Sequence, residues 1–445
     1  FTLMYSYQMF YAVVALLHRK KENGEPPKKL HKFAVLIAAR NESLVIGELI
    51  RSIKRQNYPQ ELLDVIVVAD NCTDNTAAEV ARSAGVIVYE RFNKVQVGKG
   101  YAMDYGFRMI EQNQPDAGYE GYFILDADNL LDPNYVAEMN KVFDKGFRVI
   151  TSYRNSKNYD SNWISAGYSL WFLREAKYLN NPRMLLKTSC AVSGTGFLIH
   201  SDIIKKSEGW KYHLLTEDIE FSIDSVIQGE RFAYCGDAIL YDEQPCTFQQ
   251  SWTQRMRWAK GFYQVLGKYG KDLVKSIFKK GHVSFAAYDM LMTITPAVFV
   301  TVASVLVNTV ALIFGLTQTV VNPMLIPHVL NSLVLLVVDF YLMLFAFGLL
   351  TTVTEWKRIH CKAWKKIWYT FTFPLFMLTY VPIAVVALFK KAHHEAQQRG
   401  GAVFVVRRDG HGTHRAQESS EERKGKQLRP GDEFQIFRVE GIADQ

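Results

Sequence analysis

The sequence predicts an α/β protein with a mainly parallel sheet covered by helices on both faces, followed by interfacial helices and a C-terminal transmembrane helical region. In the first third of the chain, short apolar runs alternate with segments of helical periodicity, as in proteins built from parallel strands and crossover helices. In the last third, apolar runs of bilayer length follow a segment rich in basic and aromatic residues.

Four short apolar runs are predicted as buried strands, at residues 33–38, 63–69, 86–89 and 121–125. Segments with helical spacing lie between them, at residues 43–56, 73–84 and 100–112. Sheets of this kind bind ligands at the carboxyl ends of their strands. Residues 32–248 are therefore predicted to form one cytosolic domain with its site along that edge.

The composition fits a globular part joined to a membrane part. The 445 residues are 49% hydrophobic and 22% charged, and the formal net charge is +8. Because lysines and arginines cluster beside apolar segments, we assign this charge to cytoplasmic flanks of membrane helices and predict no binding of nucleic acid. The five cysteines lack metal-ligand spacing, which indicates reduced thiols.

Residues 1–17 predict a membrane helix, because an apolar run is followed at once by basic residues. Since the chain begins at Phe1, we expect the end of a longer helix, with an amphipathic surface helix as the alternative. Residues 249–283 predict amphipathic interface helices, and residues 285–391 predict about three spans. These spans are placed at 285–316, 323–352 and 367–389, the last with a re-entrant segment as its alternative. The polar tail 392–445 is predicted to be largely disordered, with 435–440 as a candidate strand.

Polar side chains follow the predicted strands. Asp126 and Asp128 end the fourth strand, and two carboxylates there can hold a hard divalent cation that in turn binds a diphosphate. Asp70 ends the second strand, where a carboxylate can accept a hydrogen bond from the imide of uracil. Asn41 and Glu42 follow the first strand and suit contact with a base or ribose. The alternative for Asp126, Asp128 and Asp70 is a structural turn or helix cap.

Two further motifs stand at predicted helix starts. Gly98-Lys99-Gly100 offers backbone amides and an ammonium group to a phosphate, although its spacing is not that of a P-loop. The alternative is a solvated loop. Glu217-Asp218 offers a carboxylate that can act as a general base toward a hydroxyl. The alternative is a helix cap with first-turn acids.

Gln254, Arg257 and Trp258 share one helical face through their i, i+3 and i+4 spacing. The amide and guanidinium can hold a diphosphate, and the indole offers a flat surface and an N–H donor to a sugar ring. The alternative is a membrane-surface helix with snorkelling arginines, which accounts for Arg255 better than for the whole triplet.

With these motifs, the chain resembles the family 2 processive membrane glycosyltransferases, which include cellulose, chitin, hyaluronan and poly-N-acetylglucosamine synthases. The resemblance rests on Thr216-Glu217-Asp218 and on Gln254-x-x-Arg257-Trp258, which match without gaps, and it runs from about residue 32 to residue 280. It implies a GT-A fold, a UDP-linked donor and an inverting displacement.

The resemblance also implies a role for each motif. Asp218, with Glu217 beside it, would be catalytic, and Asp126 and Asp128 would bind Mg²⁺ or Mn²⁺ as the cofactor. Residues from the strand ends and the interfacial helix would bind the UDP-sugar donor: Asn41, Glu42, Asp70, Lys99, Asp126, Gln254, Arg257 and Trp258. Residues of one loop, together with the tryptophan, would bind the acceptor: Ser193, Gly194, Thr195 and Trp258.

The sequence therefore predicts a multi-pass enzyme of the cell membrane with a cytoplasmic catalytic domain. It would transfer a hexose or N-acetylhexosamine from a UDP-sugar to a growing β-linked polysaccharide. Export of the polymer and an accessory membrane subunit are left open. One alternative is transfer of a single sugar to a membrane lipid. The other is a catalytically silent membrane component that binds a nucleotide sugar.

Overall fold

The strands of the predicted α/β domain form one eight-stranded sheet in a computed structural model, which describes residues 2–18, 26–74, 86–295, 297–317, 324–389, 405–408 and 414–417. Most of the predicted helix 73–84, the candidate strand 435–440 and most of the tail 392–445 lie outside the described residues. The strands are β1 Phe33–Ala39, β2 Leu63–Asp70, β3 Ile87–Arg91, β4 Gly121–Asp126, β5 Leu130–Leu131, β6 Val149–Ser156, β7 Phe197–His200 and β8 Phe232–Asp242.

The sheet is mixed, with strand order β3-β2-β1-β4-β7-β6-β8-β5. β7 runs antiparallel to both of its neighbours, β5 runs antiparallel to β8, and the remaining strands share one direction. The four predicted strands form its parallel half. The prediction of a mainly parallel sheet is therefore confirmed, and β5 to β8 are additions that the sequence did not reveal.

The apolar run of β1 is explained by burial on both faces. Ala34 and Leu36 pack into the core on one side of the sheet, and Val35 and Ile37 pack into the core on the other. In the register of the sheet, Ala38 lies opposite Asp126 of β4, and Ala39 lies opposite Ala69 of β2. The carboxyl ends of β2, β1 and β4 consequently share one edge, where the candidate site lies.

The helices cover the sheet and continue beyond it. They are α1 Thr2–Leu17, α2 Ile46–Lys54, α3 Lys99–Asn113, α4 Tyr135–Phe143, α5 Trp163–Glu175, α6 Asn181–Leu185, α7 Ser201–Lys206, α8 Glu217–Ile227, α9 Phe248–Ile277, α10 His282–Ile294, α11 Ala297–Thr317, α12 Leu325–Thr354, α13 Ala363–Leu378 and α14 Tyr380–Phe389. A 3₁₀ turn spans Gln60–Leu62, and a π-helical turn, Ala176–Asn180, joins α5 to α6. An antiparallel hairpin pairs β9 Val405–Arg408 with β10 His414–Gln417.

Two helical stretches among the described residues, Pro327–Thr354 and Ala363–Phe389, are long and apolar enough to cross a membrane. They correspond to the predicted spans 323–352 and 367–389. The predicted span 285–316 instead divides into α10 and α11. Ala286, Ala287, Met290 and Ile294 of α10 are buried against α8 and α9, so this face of the helix serves the packing of the protein.

The helix of the last apolar segment is interrupted at Thr379, between α13 and α14. Pro382 contributes to this break because it lacks the N–H that would bond the carbonyl of Leu378. The segment is docked on α9, where the Arg255 guanidinium donates to the Phe376 carbonyl at 3.0 Å and the Tyr263 hydroxyl donates to the Ala384 carbonyl at 3.0 Å. Arg255 is thus 2% exposed and does not snorkel to the surface.

A buried ion pair fastens α1 to the rest of the protein. Arg183 of α6 makes a bidentate contact with Asp289 of α10, at 2.7 and 2.8 Å. Tyr7 and Tyr11 of α1 donate their hydroxyls to the same carboxylate, at 3.0 and 2.9 Å. One face of α1 is therefore held against the protein, while its opposite face exposes apolar side chains such as Met9.

Candidate active site

Four residues from separate parts of the chain form a continuous series of contacts at the carboxyl edge of the sheet. The Lys99 ammonium lies 2.6 Å from the Asp126 carboxylate and donates to the Gly194 carbonyl, also at 2.6 Å. The Gly194 N–H in turn donates to the Asp218 carboxylate at 2.5 Å. The series thus contains one residue from each of the predicted donor-binding, metal-binding, acceptor-binding and catalytic sets.

Close packing at the start of α3 positions Lys99. Gly98 has a φ of +136°, which favours glycine, and Lys99 is the first residue of the helix. A Cβ atom on Gly100 would lie 2.2 Å from the Tyr212 carbonyl oxygen, so only glycine allows the helix to approach this closely. Both positions therefore require glycine for structural reasons, and the motif is not simply a flexible solvated loop.

A buried polar network holds Asp126 from behind. The Asp126 N–H lies 2.8 Å from the Thr195 hydroxyl and 3.1 Å from the Asn129 side-chain oxygen. Asn129 also donates to Asp242 at 3.0 Å, and Asp242 accepts from the Arg154 Nε at 2.9 Å. Thr195 is buried, and the contacts of its hydroxyl group lie within this network. Its side chain therefore supports Asp126 and does not expose a hydroxyl group to an acceptor sugar.

Sequence reasoning missed Asn129, Arg154 and Asp242. Arg154 also donates to the Ser193 carbonyl at 3.0 Å, so the network links the predicted acceptor loop to the predicted metal motif. Only their positions could have indicated these residues. Asn129 directly follows the Asp-Ala-Asp motif, and Arg154 and Asp242 lie near the ends of β6 and β8.

The residues present fit a divalent cation. Asp126 has a nearly buried carboxylate that already holds one cation, the Lys99 ammonium, and half-buried Asp128 stands two residues away. Among the described residues no cluster of three or more His, Cys, Asp or Glu side chains is placed to hold a metal ion. The protein would therefore supply two carboxylates, and phosphate oxygens and water would complete the shell, as is usual for Mg²⁺.

The two adjacent acids at the start of α8 differ in their surroundings. Burial and the neighbouring Asp218 carboxylate raise the pKa of Glu217 to about 7, from an ordinary value of 4.5. Burial also raises the pKa of Asp218, but the N–H groups of Ile219 and Gly194 and the nearby Lys99 favour its ionised form. These three groups therefore offset part of the effect of burial on the pKa of Asp218.

The raised pKa of Glu217 predicts a pH-dependent loss of stability. The unfolded chain releases this proton before the folded protein does, so folding is penalised as the pH rises from about 4.5 to about 7. Glu217→Gln removes the penalty and is expected to shrink the fall in melting temperature between pH 5 and pH 8 by roughly 2–4 °C. The exposed Glu61→Gln serves as the control, and an equal shift in both variants would contradict the assignment.

The polar side chains predicted to bind the nucleotide follow β1 and β2, and some of them already form hydrogen bonds within the protein. The Asp70 carboxylate is buried and accepts from Arg91 at 2.6 Å and from Asn71 at 3.0 Å, both on one oxygen. Asn41 has a φ of +56° and accepts the Thr73 N–H at 2.8 Å, and Glu42 is buried. Arg91 was not predicted.

The predicted face of Gln254, Arg257 and Trp258 lies on α9, which begins with a capping box formed by Thr247 and Gln250. Among the described residues, the buried side-chain oxygen of Gln254 has no hydrogen-bond partner. Arg257 lies close enough to Glu217 to favour its ionised form. The Trp258 ring packs edge-on against aromatic rings of α5, with centroid distances of 5.8 and 6.2 Å.

The next turns of α9 pack against the segment that leads into the acidic pair. A Cβ atom on Gly261 would lie 2.5 Å from the Thr216 side chain, so the helix touches the residue just before Glu217. Further along α9, Lys268 lies 2.6 Å from the buried Glu220 carboxylate, which also accepts the Leu214 N–H at 3.0 Å. Helix α9 thereby sets the position of the acidic pair.

Gly261→Ala is expected to lower turnover by roughly 10- to 100-fold, because the added methyl group forces α9 away from Thr216 and displaces both motifs. The measurement is steady-state sugar transfer with a fixed donor. Gly267→Ala is the matched control, since its Cβ on the same helix meets no atom within 4 Å. Adding Thr216→Ala should partly restore the activity of Gly261→Ala. Equal activity of the two glycine variants would contradict the proposed role of the contact between Gly261 and Thr216.

The protein has the architecture of GT-A enzymes: a mixed sheet covered by helices, with acids at the ends of its strands and a helix of aromatic and basic residues beside them. The family model described as glycosyltransferase like family 2 matches residues 31–261, more than half of the chain. The chain belongs to this family. The matched range covers the sheet, the acidic pair and the first half of α9.

Among curated proteins, the chain is 25% identical over 288 residues to a probable glycosyltransferase, YdaM, of Bacillus subtilis, covering 60% of this chain and 64% of that protein. It is 23% identical over 277 residues to the poly-beta-1,6-N-acetyl-D-glucosamine synthase of Staphylococcus epidermidis, covering 60% and 63%. The match thus spans less than two thirds of the length of these relatives.

Among solved structures, the chain resembles the mannosyltransferase PcManGT from Pyrobaculum calidifontis, whose structure contains GDP-mannose and Mn²⁺. The TM-score is 0.50 at 16% identity, with 88% of this chain and 97% of that chain covered. At this level of identity the likeness supports the fold.

Proposed function

We propose that this protein is a membrane-embedded, inverting glycosyltransferase that transfers a hexose or N-acetylhexosamine from a UDP-sugar to a growing β-linked polysaccharide. One observation carries the proposal. Asp126, Lys99, Gly194 and Asp218 form a continuous series of contacts at the carboxyl edge of the sheet. A phosphate-binding cation, a metal-binding acid and a base are the groups that sugar transfer from a nucleotide requires.

In this proposal Asp218 is the general base. It removes the proton from the acceptor hydroxyl while that oxygen forms a bond to the anomeric carbon of the donor. The bond between the anomeric carbon and the diphosphate breaks at the same time, UDP leaves with the bonding electrons, and an α-linked donor yields a β-linked product. Asp126 and Asp128 would hold Mg²⁺ or Mn²⁺, which would supply charge neutralisation to the departing diphosphate.

The remaining residues would bind and orient the substrates. Lys99 and Arg257 would contact the diphosphate, and Gln254 offers a buried oxygen whose hydrogen-bonding capacity suits a donor group of the ligand. Asn41, Glu42 and Asp70 lie at the edge proposed for uridine. Trp258, Ser193 and Gly194 would border the acceptor.

A membrane location and a polymeric product are supported by different observations. The described residues include two helical stretches long and apolar enough to cross a membrane, and α13 and α14 dock directly on the helix that carries Trp258. The similarity to a poly-beta-1,6-N-acetyl-D-glucosamine synthase favours a polysaccharide as the acceptor. We place the protein in the cell membrane with its catalytic domain on the cytoplasmic side.

The test is incubation of the purified protein with a panel of UDP-sugars, with GDP-mannose included because PcManGT was solved with it. Mass and linkage analysis of the product follows. We expect one UDP-sugar to yield a ladder of β-linked chains. A product carrying one sugar per lipid would replace the polymer with a lipid acceptor, and absence of transfer from every donor would refute the proposed function.

A further inference from the structure

The Lys99 ammonium is paired with a carboxylate that is proposed to bind the divalent cation. It lies 2.6 Å from Asp126 Oδ1, and the side chains of the two residues are only 10% and 9% exposed. Its second contact, with the Gly194 carbonyl at 2.6 Å, fixes it between the β4 end and the loop at Gly194. This ion pair is therefore a built feature of the site, held in place from two sides.

A metal ion on the other oxygen of Asp126 would lie within a few ångströms of this ammonium. Two cations on one buried carboxylate repel each other strongly, because water screens them poorly there. A diphosphate changes this balance, since its oxygens bring negative charge that can attract both the metal ion and the lysine. Lys99 begins α3, where backbone N–H groups also favour phosphate.

We propose that the Lys99–Asp126 pair is the resting arrangement of the site, and that Lys99 acts as a placeholder cation which transfers to the diphosphate when the donor binds. A divalent cation then binds tightly only together with the nucleotide. This inference rests on the proposed function for the nature of the donor. It adds an order of binding and a second task for Lys99.

The experiment measures Mn²⁺ affinity of the purified full chain in detergent, from the electron paramagnetic resonance signal of free Mn²⁺, with and without UDP or GDP. In the wild-type protein, the nucleoside diphosphate is expected to tighten Mn²⁺ binding by about tenfold or more. Lys99→Met should bind Mn²⁺ alone about tenfold more tightly than wild type and lose most of the enhancement. Lys99→Arg, which retains the charge, should resemble the wild type.

Lys145→Met is the charge-loss control, because Lys145 is exposed between α4 and β6, at the opposite end of the strands. Equal Mn²⁺ affinity of wild type and Lys99→Met without nucleotide would overturn the placeholder role. Wild-type affinity that is unchanged by UDP and GDP would also overturn it, and this measurement does not depend on whether the variant folds. Because neither readout requires turnover, tighter Mn²⁺ binding by Lys99→Met would support the inference even if no sugar were transferred.

Discussion

Asp218→Asn is expected to lower sugar transfer by about 10³-fold, because the asparagine amide cannot accept the proton of the acceptor hydroxyl. The amide oxygen can still accept the Gly194 N–H, which now bonds the carboxylate at 2.5 Å, so the loop should keep its position. UDP affinity is accordingly expected to stay within about twofold of wild type. Steady-state transfer and UDP titration measure the two quantities separately.

Asp272→Asn is a suitable control for this substitution, since Asp272 is an exposed acid on α9 that pairs with Lys275. It should retain wild-type turnover. Normal turnover by Asp218→Asn would remove the base assignment. If Glu217→Gln then proved inactive, the proton acceptor would be Glu217, and its pKa of about 7 would set the pH below which activity falls.

Removal of divalent cations with EDTA is expected to abolish transfer, because the departing diphosphate would lose the two positive charges of the metal ion and keep only those of Lys99 and Arg257. Addition of Mg²⁺ or Mn²⁺ in excess should restore activity, and the comparison of the two ions identifies the preferred cofactor. Initial rates measured against metal concentration provide the readout.

Asp128→Asn refines the metal prediction. Loss of one carboxylate from a two-carboxylate site should raise the metal concentration required for half-maximal activity by roughly tenfold or more, while the rate at saturating metal changes less. Full activity in EDTA would contradict the metal role of both Asp126 and Asp128. An unchanged metal requirement in Asp128→Asn would leave Asp126 as the protein's ligand.

The parallel half of the sheet was predictable because its strands are buried on both faces and therefore appear as unbroken apolar runs. Phe33–Ala39 and Gly121–Asp126 are examples. The other half was missed for physical reasons. β7 has only four residues. β8 carries the extra residues 236–238 where it pairs with Ser152 and Tyr153 of β6, and β6 is buried along nearly its whole length but is not an apolar run.

The candidate site was predictable in its members and less so in its contacts. Acids that follow β1, β2 and β4 could be expected at one edge, since parallel strands place their carboxyl ends together. The ion pairs of Lys99 with Asp126 and of Asp70 with Arg91 could not be predicted from strand order. Each depends on how a helix or neighbouring strand is oriented, and residue spacing does not encode that orientation.

Local pattern alone was sufficient for the α/β class, the strand-end acids, the acidic pair and the shared face of Gln254, Arg257 and Trp258, because each follows from strand or helix periodicity or from a position at the end of a predicted element. The packed fold was required to show that Gly261 touches Thr216, that α10 is buried against α8 and α9, and that the Asp126 network includes Arg154 and Asp242. Such contacts join segments far apart in the chain at van der Waals distance, and they exist only once the whole domain has folded.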